Sequence, residues 1–350
     1  MAKVTLQSIA DRVGVSRMTV SNAFSRPDQL SAELREKILA AAAELGYAGP
    51  NPAARALARG RAGSVGMLMN GTLSDAFEDP MSAAFLAAVT DEIAARGLAL
   101  TLLTPATDDT FVATRDVAMD GALLHVCGDP QMDDIAWLER RSLPVVNIDR
   151  HPRSDTPTVN VDDRGGARLA AQHLVDLGHR RIGIINLQEK PYAGRPVTDL
   201  STMSTDFPTT QRMLGWRDVL EPAGIEAPTA VSPHSAIETV REATRVLLDR
   251  PDRPTALLCY SDAFAVGVLQ AAESLGLRVP HDLSVVGFDD GPLAENARPP
   301  LTTVHQDFAA KGRTAVGILV DVLADNPPTD LHVTLPTSLV VRESTAPPMG

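Results

Sequence analysis

Arg17 and Asn22 lie five positions apart in "VSRMTVSNAFS" (Val15–Ser25), which also carries Ser16, Thr19 and Ser21. An arginine fork suits the edge of a guanine and an asparagine amide that of an adenine, while short hydroxyl side chains let a helix approach phosphates closely. Ser, Thr and Asn compete with the backbone for hydrogen bonds, so this stretch is a poor helix by itself and needs a neighbour to lie on.

A second set of polar residues closes apolar runs further along: Asp149 and Arg150 after "PVVNI", Ser261 and Asp262 after "TALLCY", and Asp289 after "SVVGF". Open parallel sheets bind ligands at the carboxyl ends of their strands, which makes these residues candidate ligand contacts. Charged side chains that pair in bidentate fashion suit the hydroxyls of a sugar-like molecule. Asp262 equally suits capping of the helix that follows it. Phe77 in "GTLSDAFEDP" is a candidate stacking residue, and Trp216 reads as packing between elements. Aromatics make up only 4% of the chain, which speaks against a richly stacked pocket.

The first set requires a small helical head. Thr5 can cap "LQSIADRV", Ser16 "RMTVSNAF" and Ser31 "AELREKILAAAAELGY", with breaks at Gly14 and "SRPDQL". Ala10, Val15 and Val20 would then form the apolar contact of a helix-turn-helix, a shape that reads DNA but also serves purely structural roles. Asn51 before Pro52 writes a helix start onto "AARALAR". From Val65 onward short apolar runs ("VGMLM", "LALTLL", "GALLHV", "PVVNID", "RIGIINL", "TALLCYS", "LSVVGFDD") alternate with amphipathic stretches, the pattern of βα units with parallel sheets. The fold class expected is α/β, with an all-α helix-turn-helix head and two parallel-sheet lobes. The domains expected are a helix-turn-helix head over 1–49, a linker that carries a short helix over 50–62, and a two-lobed ligand-binding body over 63–350. Glu189–Thr210 reads as a long functional loop.

Charge agrees with that division. The formal net charge is −12, yet residues 1–63 carry nine Lys or Arg against five acids, a net of +4, which leaves −16 on the rest. A basic head on an acidic body is the asymmetry of a chain that meets a polyanion with one end only. Cys127 and Cys259 both lie in apolar runs and fit a reducing compartment. Neither a signal peptide nor a membrane span is read, so a cytoplasmic protein is expected. No GxGxxG turn, phosphate loop, GxSxG elbow or HExxH site occurs, and the eight histidines are scattered. Neither catalysis, nor a metal, nor a cofactor is expected.

"VTLQSIADRVGVSRMTVSNAFS", "LSAELREKILAAAAELGY", "NPAARALARG", "HLVDLGHRRIGII", "RMLGW", "SDAFAVGVLQAAESLGLRVPHDLSVVGFDD" and "PPLTTVHQDF" follow one another in an order and spacing that resemble the LacI/GalR family of bacterial transcription regulators. The resemblance covers nearly the whole chain. It implies a periplasmic-binding-protein-like sensor behind the head, with Arg17, Met18 and Asn22 at the base-reading positions, and Met18 offering an apolar contact. Leu57 falls at the position of a leucine that wedges into the minor groove, with Ala54 close to the backbone. Thr5 and Asn51 join Ser16, Thr19 and Ser21 among the DNA-contacting residues. Arg212 and Gln306 fall at positions that meet the effector, and Ser261 stands where many relatives carry asparagine. The partners implied are a near-palindromic operator, a sugar or sugar-derived effector and a second copy of the chain; repression is the expected output.

Overall fold

In the computed structural model, which describes residues 4–49, 51–69, 73–104, 110–125, 132–188 and 206–349, the chain divides into two units, Met1–Gly63 and Ser64–Gly350. The first is helical. Thr5 and Ser8 exchange backbone-to-hydroxyl hydrogen bonds of 3.3 Å, a capping box that starts α1 (Leu6–Val13). Gly14, at φ 79°, ends it in the left-handed conformation. Ser16 accepts from the Thr19 amide at 3.0 Å to start α2 (Arg17–Ser25), and Ser31 from the Leu34 amide to start α3 (Ala32–Glu44).

The expected run of α3 to Tyr47 is corrected to Glu44. Gly46 turns left-handed and the Tyr47 amide reaches back to the Ala42 carbonyl at 2.8 Å, which closes the helix early. The three helices bury Ile9, Ala10, Val20, Ala23, Ile38, Ala41 and Ala42, with Val15 against them. Ala10 and Ala23 are small enough to let α1 and α2 cross closely. α4 (Pro52–Arg59) follows, its first turn closed by the Arg55 amide on the Asn51 carbonyl at 3.0 Å.

The second unit contains two six-stranded sheets among the described residues. In chain order its elements are β1 (Ser64–Met69), α5 (Leu73–Glu78), α6 (Pro80–Ala95), β2 (Ala99–Leu103), α7 (Ala113–Asp116), β3 (Gly121–His125), α8 (Met132–Arg140), β4 (Val145–Ile148), β5 (Thr158–Val161), α9 (Asp163–Asp176), β6 (Ile182–Leu187), α10 (Phe207–Leu220), β7 (Thr229–Ser232), α11 (Ile237–Leu248), β8 (Ala256–Cys259), α12 (Asp262–Ser274), β9 (Ser284–Asp289), α13 (Pro292–Asn296), β10 (Thr302–Gln306), α14 (Phe308–Leu323), β11 (His332–Leu335) and β12 (Thr337–Val340). The first sheet runs β11-β5-β4-β3-β1-β2, with every neighbour parallel. The second runs β12-β10-β9-β8-β6-β7, parallel except for β12. All seven expected apolar runs are strands. β5, β7, β10, β11 and β12 escape that reading because each has only four or five residues and mixes Thr, Asn, Ser, His or Gln with its apolar positions.

The chain passes between the sheets at three places: β5 to α9, β10 to α14, and β11 to β12. α9 packs on α10, β10 and β12 of the second lobe, whereas α14 packs on α6, β3, β4 and β5 of the first. Each sheet has a separate apolar core on each face: Met67, Phe85, Leu123 and Leu319 on one side of the first and Leu68, Leu103 and Leu138 on the other; Leu257, Phe264 and Val285 on one side of the second and Ile184, Trp216 and Phe288 on the other. Trp216 is thereby a core residue. No helix among the described residues is long and apolar enough to cross a membrane.

Candidate functional site

On the first unit, α2 presents Arg17 and Met18 to solvent, Met18 at 70% exposure although it is a large apolar side chain. Next to them the Ser16 and Thr19 hydroxyls lie 2.8 Å apart, and the Asn22 amide donates to Gln29 Oε1 at 3.2 Å. Gln29, which sequence reasoning did not single out, orients the free edge of Asn22. Ser21 and Asn22 are half-buried, and Thr5 and Ser16 hold the starts of their helices as caps. Ala54 is exposed on α4, and so, three residues on, is Leu57, at 86%. An eight-residue helix with an exposed leucine has little to hold it in water alone.

In the second unit the carboxyl edges of the two sheets are joined by a chain of buried polar groups. Asp149 follows β4 at φ 54° and takes two hydrogen bonds from Lys311 Nζ, at 2.8 and 2.9 Å. His125 Nε2, at the end of β3, lies 3.2 Å from the same carboxylate. Lys311 also donates to Gln306 Oε1 at 2.8 Å, and Gln306 Nε2 donates to Asp289 Oδ1 at 2.7 Å. Asp289, at φ 121°, is 3.8 Å from Arg212 Nη1. Arg212 donates from Nε to Asp163 Oδ1 at 2.8 Å and from Nη1 to the Tyr260 carbonyl at 2.6 Å, its guanidinium 3.6 Å from the Phe288 ring centroid. The residues thus alternate donor and acceptor from the first lobe into the second.

Electrostatics follow from burial and pairing. Burial works to raise the Asp149 carboxyl, but the Lys311 charge and the His125 hydrogen bond outweigh it and hold it well below the usual range. Burial wins at Asp163 and Asp289, which are raised despite Arg212, and it pushes Asp262 up to about 7. For Arg212 the nearby Asp163, Tyr260 and Asp289 outweigh burial and raise it, so it stays charged.

Of the expected ligand contacts, Asp149, Arg212, Asp289 and Gln306 meet in this chain. The alternative of Asp262 as a helix cap is corrected: Ser261 is the cap, accepting from the Phe264 amide at 3.4 Å, because Asp262 sits one residue inside the helix and turns inward. There it takes a 2.6 Å hydrogen bond from Thr303 and a 3.2 Å one from the Gly291 amide. Arg150 is held through its backbone by both amide atoms of Asn160. Phe77 lies on α5, 59% exposed and outside the polar chain. Most of the Glu189–Thr210 loop lies outside the described residues; from Asp206 onward the segment caps and begins α10.

Sequence reasoning missed Lys311, His125 and Asp163. Lys311 carried a signal: it lies on the same stripe of α14 as Ala315 and Leu319, and a lysine on the buried face of an amphipathic helix calls for a partner. Several buried polar atoms in this region find no partner: Asp163 Oδ2, both amide atoms of Asn186, Gln188 Oε1 and Thr209 Oγ1. Asn186 lies near the end of β6 and Gln188 directly after it, the Ile185 carbonyl of that strand takes the Tyr260 amide, and Thr209 precedes Arg212 by three residues on α10. Buried groups of this kind are normally satisfied, so such atoms on Asp163, which pairs with Arg212, on α10 and at the end of β6 suit a site completed by a hydroxyl-bearing ligand.

Comparison with known proteins agrees with the two-unit arrangement. Residues 5–51 match bacterial regulatory proteins of the lacI family, and 171–345 match the periplasmic binding protein-like domain. The HTH-type transcriptional regulator IpsA of Corynebacterium glutamicum is 36% identical over 355 residues, covering 98% of both chains. Among solved structures, the lac repressor dimer bound to operator and the anti-inducer ONPF aligns with a TM-score of 0.79 at 27% identity, over 99% of this chain and all of the other. The complex of the transcriptional regulator CelR with cellobiose aligns with a TM-score of 0.67 at 28% identity, over 98% and 100%.

Proposed function

This chain belongs to the lacI family of bacterial regulatory proteins, DNA-binding regulators of transcription, and from that premise we propose that it is a dimeric repressor whose grip on a near-palindromic operator is controlled by a sugar-like effector. The observation that carries the effector half is the buried polar chain from Asp149 to Arg212, which ties the carboxyl edges of both lobes together beside unsatisfied hydrogen-bonding atoms. A ligand there exchanges some of those bonds for its own, and it shifts the balance between lobe arrangements by as much as its affinity differs for each.

For the DNA half, exposed Arg17 and Met18 and half-buried Asn22 support base reading. The solvent-facing Leu57 on α4 supports a wedge that orders with operator DNA. The lac repressor, similar over the full length, was captured as a dimer on operator, and CelR with cellobiose. The test is selection of bound duplexes from a random pool, followed by titration of operator affinity against salt. A near-palindromic consensus and a steep fall of affinity with salt are expected. Recovery of no consensus, or a flat salt response, would overturn the reading.

A further inference from the structure

Among the described residues two cations enter the polar chain, Arg212 and Lys311, and three carboxyl groups face them, Asp149, Asp163 and Asp289. An ammonium group has three hydrogens to donate and nothing to accept with. Lys311 spends all three, two on Asp149 and one on Gln306 Oε1. Because lysine can only donate, Gln306 must turn its oxygen toward Nζ and its NH2 toward Asp289 Oδ1, where it lies at 2.7 Å. Lys311 thus fixes which way round the Gln306 amide sits and leaves no positive charge of its own unspent. The unsatisfied atoms nearby lean the same way: Asp163 Oδ2 and Gln188 Oε1 only accept, Asn186 offers one acceptor and one donor, and Thr209 can do either.

We propose that Lys311 is a specificity-determining residue: saturated by Asp149 and Gln306, it makes the cleft accept an uncharged polyol and reject a phosphorylated or carboxylated one. A polyol brings hydroxyl donors to the waiting acceptors. The charged group of an anionic one adds acceptors only, and the cations it meets are already engaged: Lys311 by Asp149, and Arg212 by Asp163 with Asp289 beside it. The inference rests on the reading of this cleft as the effector site and narrows the ligand to one charge class.

The experiment follows thermal unfolding of the full chain in inorganic phosphate against chloride at matched ionic strength, for wild type, D149N and D149N/K311M. Removing the carboxylate charge frees the Lys311 ammonium, so D149N should gain a rise in Tm that saturates with phosphate and exceeds any rise in wild type. The double variant should lose that gain. Equal responses of wild type and D149N, or a gain that survives K311M, would overturn the proposal. D149S is the second variant should D149N not fold, with the same outcomes. Neither operator nor effector enters the measurement, so its failure leaves the proposed function standing, and loss of operator binding leaves this result unchanged.

Discussion

Arg212 and Asp163 form a buried pair, Nε to Oδ1 at 2.8 Å, between α10 and the first residue of α9, where the chain has just crossed from the first lobe. The pair is 6% and 0% exposed on its two sides, so neither charge has water to fall back on. Arg212→Ala strands Asp163 and should destabilise the Ser64–Gly350 unit by about 3–5 kcal/mol. Arg212→Ala with Asp163→Asn should regain part of that, because the stranded charge is gone. Urea unfolding of the two variants decides it; a loss below about 1 kcal/mol for the single change would show the pair to be solvated.

Gly215 sets how closely the helices that carry this pair approach. A Cβ there would meet the Arg164 carbonyl oxygen and, at 2.8 Å, Ala167 Cβ. Gly215→Ala is expected to push α10 off α9 at a cost of about 1–3 kcal/mol. The variant should unfold at lower temperature than wild type. An unchanged Tm would mean that the two helices part without penalty.

Leu57→Ala removes an apolar side chain that is 86% exposed, so stability should change by no more than about 0.5 kcal/mol. Operator affinity should fall by roughly tenfold or more if the side chain wedges between base pairs. A mobility-shift titration showing wild-type affinity would remove Leu57 from the DNA contacts. Arg17→Ala should cost about 1–3 kcal/mol and relax the preference at one base pair only.

His173 and His179 hold the C-terminal segment: His173 Nε2 lies 2.9 Å from Thr345 Oγ1, and His179 Nε2 lies 2.9 Å from the Ala346 carbonyl. Burial lowers both, so the folded state favours the neutral rings. A histidine lowered in the fold contributes stability that is complete above its unfolded value, about 6.5, and is lost as pH falls through the folded value. Amide exchange at Ala346, whose N–H donates to Ser284 at 3.0 Å, should therefore quicken below about pH 6.5 beyond its intrinsic pH dependence. The quickening should disappear in His173→Asn/His179→Asn; if it persists there, another group sets the pH response.

Much of the fold was legible because its signals are local. Thr5, Ser16 and Ser31 each start the helix expected of them, Gly14 ends one, and the seven apolar runs are strands, since capping and burial on both faces are written in adjacent residues. Tyr47 fell outside its helix because a left-handed glycine one residue before it outweighed a helix-prone run. The four-residue strands β5 and β12 went unseen, and with them the crossovers they border.

For the site, strand ends alone pointed to Asp149 and Asp289, and the family resemblance to Arg212 and Gln306. What the sequence determined by itself was therefore which elements form and which residues stand at their ends. Which charges share one site was decided by the tertiary structure: Lys311 and Asp149 are 162 residues apart, and Arg212 and Asp163 are 49 apart. The physical reason is that burying a lysine requires a carboxylate beside it, and only the return of α14 across β4 brings one there.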